Sequence, residues 1–371
     1  MPLPSSPDPL RRALTLAARG RSTTAPNPMV GAVLVRDGEI VGEGFHHRTG
    51  EPHAEILALA AAGPRARGAT LYLNLEPCSH QGRTPPCADA LVAAGVARVV
   101  ACHRDPDPRV SGRGFELLRR AGIAVEVGER AEEAVELNFR FLVNRILSRP
   151  AVTLKWAMSL DGKIATAAGE SQWISGAAAR RWALSLREEH DAILVGVGTV
   201  LADDPRLDRR LGKAAAPILR VVLDRRLRTP LAAKLLGVPG PVLIYSESHD
   251  EERVRQLAER GAEVVRLPEV SPATVLADLA AREIASLLVE GGREVATAFF
   301  AAELYDHLEI AVAGRLLGGH AAPGPLGGRG VERLVDAPSV ARLKARKCGS
   351  DLVLSGFNSK CLRELFANLE L

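Results

Sequence analysis

Short β-rich runs alternate with stretches of helical spacing along almost the whole chain, joined by links of a few residues. This alternation constrains the fold most, because elements that follow so closely pack as a sheet with helices on its faces. Residues 8–20 predict a short helix. Residues 29–35 and 40–45 flank Asp37-Gly38 and predict a β-hairpin. Helical spacing follows at 54–62, strand character at 70–75 and a helix over 88–95. Strands are expected at 97–102 and 123–128, around a helix over 113–121. A long amphipathic helix over 129–147 stops at Ser148-Arg149-Pro150, because the residue before proline resists helical geometry. A second series begins at 151–160, with strands expected at 191–195, 218–224, 241–245, 285–290 and 307–313. Its helices are expected near 176–188, 250–260 and 292–303. A length of 371 residues suits two domains, placed here at 1–149 and 150–371. From about residue 358 the chain reads as a tail without function.

Composition excludes several classes. Hydrophobic residues make up 47%, enough to offset chain entropy and exclude general disorder. No run approaches the ~18 apolar residues of a spanning helix, so no membrane partner is expected. Aromatic residues are 4% and the net charge of +4 is scattered, which argues against nucleic acid. A weakly positive surface still suits a phosphorylated small molecule. The N-terminal apolar stretch is too short and too interrupted by Arg for a signal peptide, so a cytoplasmic location is expected. Five cysteines, an odd number, suit a reducing compartment better than a disulfide framework. There, Cys near His is a metal site or a buried thiol.

The sharpest constellation lies at 52–87, where PHAEILAL supplies His53 and Glu55 and PCSHQGRTPPC supplies Cys78 and Cys87. One imidazole and two thiolates suit zinc, and three protein ligands leave the fourth position for water. In mid-helix His53 and Glu55 would stand ~200° apart, but in an open first turn both can face one ion. Helix N-termini near the ion would add partial positive charge. Glu55 is then the proton carrier between water and a leaving nitrogen. Zinc nucleobase deaminases combine His-x-Glu with Pro-Cys-x-x-Cys; here eight residues separate the cysteines. The longer loop carries His80, which is either a ligand-binding group or a fourth zinc ligand, and Arg83. Cys102-His103 reads as a packed thiol and a loop imidazole.

With these motifs, NPMVGAVLV at 27–35 and GEGFHHRTGEPHAE at 42–55, the chain resembles the bifunctional riboflavin-biosynthesis deaminase/reductase family over nearly its whole length. The resemblance implies a three-layer α/β/α cytidine-deaminase-like domain with a mixed sheet, followed by a dihydrofolate-reductase-like α/β domain. It implies that His53, Cys78 and Cys87 hold one zinc and that Glu55 shuttles protons. Asn27, His46, His80 and Arg83 fall where that family contacts a pyrimidine ribose phosphate. Asn27 before Pro28 is also a turn residue by type, and His46 beside His47 also fits a solvent-facing position.

Signals beyond Pro150 are individually weaker. LVGVGTVLADDP at 194–205 runs from a strand through glycines into a polar turn. LLVEGG at 287–292 joins a strand to a helix, a common phosphate seat. Neither is a dinucleotide fingerprint. By resemblance, LKWAMSLDGKIATAAGESQWISG at 154–176 opens a reductase domain that uses NADPH to reduce a ribosyl ring. The same match places Ala157, Trp173, Thr199, Asp203 and the run Gly292, Arg293, Glu294, Val295, Ala296, Thr297 and Ala298 against NADPH. It places Ser171, Arg187, Leu207, Arg210 and Glu290 against substrate. Arg225 is either a partner for the adenosine 2′-phosphate or a solvated residue of its Arg-rich run. Lys155 and Asp161 either orient substrate or form ion pairs.

The expected protein is thus two fused enzymes with one phosphorylated pyrimidine ribosylamine as common currency, acting as a homo-oligomer. Arg-rich loops suit that phosphate. One rival is a deaminase for a free base, nucleoside or tRNA; another is a regulatory protein with a structural zinc.

Overall fold

The computed structural model describes residues 8–79, 86–107, 110–212 and 216–371. Among them, no helix is long and apolar enough to cross a membrane. The chain divides into two compact units: one takes the residues up to Ser148 together with Glu364–Leu371, the other Arg149–Arg363.

The first unit runs α1 (Pro9–Ala17), β1 (Gly31–Arg36), β2 (Glu39–Phe45), α2 (Ala54–Ala62), β3 (Thr70–Leu73), α3 (Cys87–Ala94), β4 (Arg98–Ala101), α4 (Arg113–Arg120), β5 (Ala124–Val127) and α5 (Ala131–Leu147). Asp8 caps α1 by accepting the Arg11 amide at 3.1 Å. Asp37 and Gly38 take φ of 52° and 80°, the paired left-handed turn that closes the β1–β2 hairpin. The sheet order is β2-β1-β3-β4-β5, antiparallel as far as β3 and parallel beyond it. On one face Ala54, Ala58, Leu91 and Leu118 from α2, α3 and α4 pack on Leu34, Leu71 and Val99. On the other, α1 and α5 cover Val33, Tyr72 and Val100. Three layers result.

Glycines set where α2 lies. A Cβ on Gly44 would meet the Ala54 carbonyl at 2.4 Å, and one on Gly42 the Ala58 carbonyl at 2.2 Å. Only bare backbone in β2 lets α2 settle so close, and this places the helix start that carries His53 and Glu55.

The second unit runs β6 (Ala151–Ser159), α6 (Ala177–Arg187), β7 (Ala192–Gly196), α7 (Val197–Asp203), β8 (Leu219–Leu223), β9 (Val242–Ser246), α8 (Glu251–Glu259), β10 (Ala262–Arg266), α9 (Pro272–Ala281), β11 (Ser286–Val289), α10 (Arg293–Ala301), β12 (His307–Ala313), β13 (Val340–Cys348) and β14 (Asp351–Asn358). The sheet order is β10-β9-β8-β7-β11-β6-β12-β14-β13. Pairing is parallel from β10 to β12, and β14 and β13 add an antiparallel hairpin.

The tail expected from residue 358 is instead α11 (Ser359–Leu369). Cys361, Leu362, Leu365 and Leu369 recur at helical spacing and are all buried. From Glu364 onward this helix belongs to the first unit.

Candidate active sites

His53 is the N-cap of α2, with φ −71° and ψ 162°, so its side chain leaves the helix end rather than the helix flank. Cys87 opens α3. His53 Nδ1 lies 3.2 Å from Cys87 Sγ and 3.6 Å from Cys78 Sγ, and the Cys87 amide donates to Cys78 Sγ at 3.3 Å. Among the described residues these three form the single group of at least three His, Cys, Asp or Glu side chains able to share a metal. A tetrahedral zinc with bonds of ~2.3 Å to sulfur and ~2.0 Å to nitrogen spaces those atoms roughly 3.6 Å apart, so the group fits the ion. Hydrogen bonding from Cys87, and from His53, holds the Cys78 thiol down to about 4, while Cys87, donor of that pair, is pushed up.

Glu55, one residue inside α2, is buried at 3% exposure and lines the same cavity of about 480 Å³. Burial first, and the Cys78 charge second, push its carboxyl up, the direction that suits a group meant to hold and release a proton. His46 is buried rather than solvent-facing. Its Nδ1 lies 3.3 Å from the Pro52 carbonyl, which can only accept, so Nε2 is left to accept from Asn27 Nδ2 at 3.2 Å. Burial holds His46 below its ordinary pKa, as a neutral ring. Asn27 combines both sequence readings: its amide closes a turn to the Thr24 carbonyl at 2.8 Å, and its side chain lines the cavity. His80 and Arg83 lie outside the described residues.

Sequence reasoning passed over Asp105 and Arg145, which also line this cavity. Asp105 follows β4 in an Asp-Pro-Asp-Pro run, a turn signal just past a strand end. Burial pushes its carboxyl up to about 7. Cys102 is a packed thiol in the cluster of Leu10, Leu14 and Val100. His103 is a loop imidazole just past β4, fully buried, with Nδ1 against the Arg104 carbonyl at 2.7 Å.

In the second unit, Arg187 at the end of α6 donates from Nε and Nη2 to the two oxygens of Glu290, both at 3.0 Å. Lys155 Nζ stands 3.6 Å from Glu290 Oε2, so Lys155 is an ion-pair partner. Burial alone would raise Glu290; the charges of Arg187 and Lys155 hold it down to about 2. Arg210 is tied into the same place, donating to Asp208 Oδ1 at 2.7 Å, while Arg187 Nη1 donates to the Asp208 carbonyl at 3.4 Å. The Leu207 side chain is buried in the core beside Ile193 and Val195, so only its backbone can meet a ligand. Among the described residues Asp161 pairs with no cation. It accepts Ser159 Oγ at 2.6 Å and the amides of Leu317 and Gly318 at 3.1 and 2.7 Å, which pins the loop after β12.

The positions matched to a cofactor are spread over several elements of the second unit. Ser171 Oγ donates to Asp203 Oδ1 at 3.3 Å, joining a substrate position to a cofactor position. Trp173 is exposed beneath the Arg180 guanidinium, 4.8 Å from its ring centre. Gly292 caps α10 with no side-chain capping bond, leaving the first-turn amides open to an anion, and a Cβ built on it would meet Thr199 Oγ1 at 3.7 Å. Along α10, Arg293 and Glu294 are exposed, Val295, Thr297 and Ala298 are half-buried, and Ala296 turns into the core. Ala157 packs beside Ala179 and Trp182. Arg225 donates to the Val270 carbonyl at 3.1 Å and lies 3.3 Å from Glu247.

Fold and site together define a zinc-type deaminase domain joined in one chain to a reductase domain. Residues 7–103 match the cytidine and deoxycytidylate deaminase zinc-binding region, and residues 150–354 match the RibD C-terminal domain. The riboflavin biosynthesis protein RibD of Aquifex aeolicus (strain VF5) is 43% identical over 93% of this chain and 96% of its own length. That of Escherichia coli (strain K12) is 44% identical over 93% and 97%. Among solved structures, Acinetobacter baumannii RibD superposes with a TM-score of 0.84 at 39% identity, covering 95% of this chain and 98% of that one. A Thermotoga maritima structure described as a diaminohydroxyphosphoribosylaminopyrimidine deaminase/5-amino-6-(5-phosphoribosylamino)uracil reductase does so at 0.83 and 35%, covering 94% and 97%. The chain belongs to the RibD family of bifunctional riboflavin-biosynthesis enzymes, a deaminase and a reductase in one polypeptide.

Proposed function

We propose that the first unit removes the 2-amino group of 2,5-diamino-6-ribosylamino-4(3H)-pyrimidinone 5′-phosphate by hydrolysis, and that the second reduces the ribosyl group of the product to ribityl with NADPH. The observation that carries this reading is the close grouping of His53, Cys78 and Cys87 at a cavity that His53, Cys78 and Glu55 line. The description borne by the Thermotoga maritima relative supports the choice of substrate.

His53, Cys78 and Cys87 would hold zinc, which when bound acidifies a water molecule. Glu55 takes a proton from that water and delivers it to the departing amino nitrogen. The carbon–nitrogen bond breaks, a carbon–oxygen bond forms, and ammonia leaves. His46, held neutral, and Asn27 present polar edges to the pyrimidine and its ribose, with His80 and Arg83 assigned to the ribose phosphate.

In the second unit, NADPH when bound would supply hydride to the anomeric carbon, whose bond to the ring oxygen opens while that oxygen takes a proton from solvent. The open α10 N-terminus and Thr199 are assigned to its phosphates, and Ala157, Trp173 and Asp203 to the rest of the cofactor, with Arg225 at the 2′-phosphate. Ser171, Arg187, Arg210, Glu290 and the Leu207 backbone hold the substrate so that carbon and hydride donor are aligned. A homo-oligomer working in the cytoplasm completes the proposal.

The test is an ammonia assay on zinc-quantified protein with the diaminopyrimidinone phosphate, with and without NADPH. Ammonia without NADPH, and NADPH oxidation only after deamination, is the expected result. No ammonia from protein with one zinc per chain overturns the substrate assignment. Light scattering of the same sample reads the assembly state, and a monomer at assay concentration overturns that part.

A further inference from the structure

Glu76 stands two residues before Cys78 and is 3% exposed, yet among the described residues its carboxylate bonds neither to the metal ligands nor to a cation. Its partners are backbone amides. Oε2 accepts from Asp105 at 3.1 Å and Gly112 at 2.9 Å, and Oε1 accepts from Gly114 at 2.9 Å and Phe115 at 3.3 Å. A further bond runs from the Glu76 amide to the His103 carbonyl at 3.1 Å. Amide bonds to a charged carboxylate are among the stronger ones a fold can make, and the start of a helix adds its partial positive charge.

These bonds join two walls of one cavity. On one side are Leu75 and Cys78; on the other are Asp105 and Asp107, the Asp107 amide donating to Asp105 Oδ1 at 2.8 Å. The junction is tight: a Cβ on Gly114 would fall 2.2 Å from the Pro77 carbonyl. We propose that Glu76 is a positioning residue of the deaminase, whose carboxylate sets the distance between the Cys78 turn and the Asp105 wall and thereby the fit of the substrate opposite the metal ligands. The proposal rests on the deaminase reading above.

Glu76→Gln tests it. Each oxygen accepts two amides, so whichever way the new amide group turns, its NH2 confronts two N–H donors and one wall is released. The expected result is a deaminase KM raised about 10-fold or more with kcat changed by less than about 3-fold. One zinc per chain remains, and the reduction of previously deaminated product is unchanged. Glu76→Asp keeps the charge and restores part of the KM; it carries the test if the Gln variant does not fold. A wild-type KM, a fall in kcat alone, or loss of zinc overturns the proposal. If the wild-type chain itself releases no ammonia, the substrate reading fails and Glu76 is judged by amide hydrogen exchange instead. Faster exchange confined to Asp105 and residues 112–115 in Glu76→Gln supports the positioning role, and unchanged exchange overturns it.

Discussion

Arg187 and Glu290, 103 positions apart in sequence, meet in a two-pronged ion pair with both contacts at 3.0 Å and side-chain exposures of 12% and 9%. Removing one partner of such a pair leaves the other charge buried, which costs about 3–5 kcal/mol. Glu290→Gln is therefore expected to lower the unfolding midpoint of the reductase unit and abolish reduction, with ammonia release unaffected. Because Glu290 is held down to about 2, its contribution is present above the ordinary glutamate range and is lost as pH falls from about 4 towards 2. Thermal scans of both proteins from pH 7 to pH 3 check this: the gap should narrow in acid.

Glu55→Gln keeps the size of the side chain and removes its capacity to carry a proton. Deamination should fall by about 10²–10⁴-fold. Zinc content and NADPH oxidation with deaminated substrate should remain at wild-type levels. Appreciable residual turnover would remove Glu55 from the proton path.

Asp105 offers a pH signature. Its carboxyl is raised to about 7 by burial, so the folded state binds a proton that the unfolded chain has already lost between pH 4 and 7. Stability from this group therefore declines as pH rises through that window and is level above it. With allowance for partial solvent access the effect is about 2 kcal/mol. Asp105→Asn should flatten that slope in urea titrations at pH 5 and pH 8, while an unchanged slope would place its origin elsewhere.

Leu365 is fully buried on α11. Leu365→Ala should cost about 2–5 kcal/mol, and a surface change such as Glu364→Ala almost nothing. A tail without function would show no such contrast, so paired thermal melts decide.

Local chemistry made much of the fold readable. Asp37-Gly38 announces its hairpin, Pro150 the end of α5, and the His53–Glu55 spacing makes sense only at a helix start. Elements whose patterns are carried by context were passed over. β13 reads VARLKARKC, basic and mostly exposed at a sheet edge, so it lacks the apolar alternation of a buried strand. β14, β10 and α9 were missed as well, and α11 was mistaken for a tail because it lies at the end of the chain, although its apolar residues recur at helical spacing. Within the sites, the His53, Cys78 and Cys87 group could be read because a metal such as zinc demands particular atoms. Asp105, Arg145 and Glu76 could not, since ordinary acidic and basic residues gain a role only from what surrounds them. Resemblance named Leu207 as a contact, but a side chain in the core leaves only its backbone for that purpose.

The first unit is built from two stretches separated in sequence, since Glu364–Leu371 joins the residues up to Ser148. Its final helical segment therefore leaves the ribosome only after all of the reductase unit has been translated. Domains of most multidomain chains fold in order of synthesis. Here the deaminase unit must wait, partly assembled and with Leu365 and Leu369 still missing from its core, until the other enzyme is made. A premature stop late in the message would thus strike the activity encoded first.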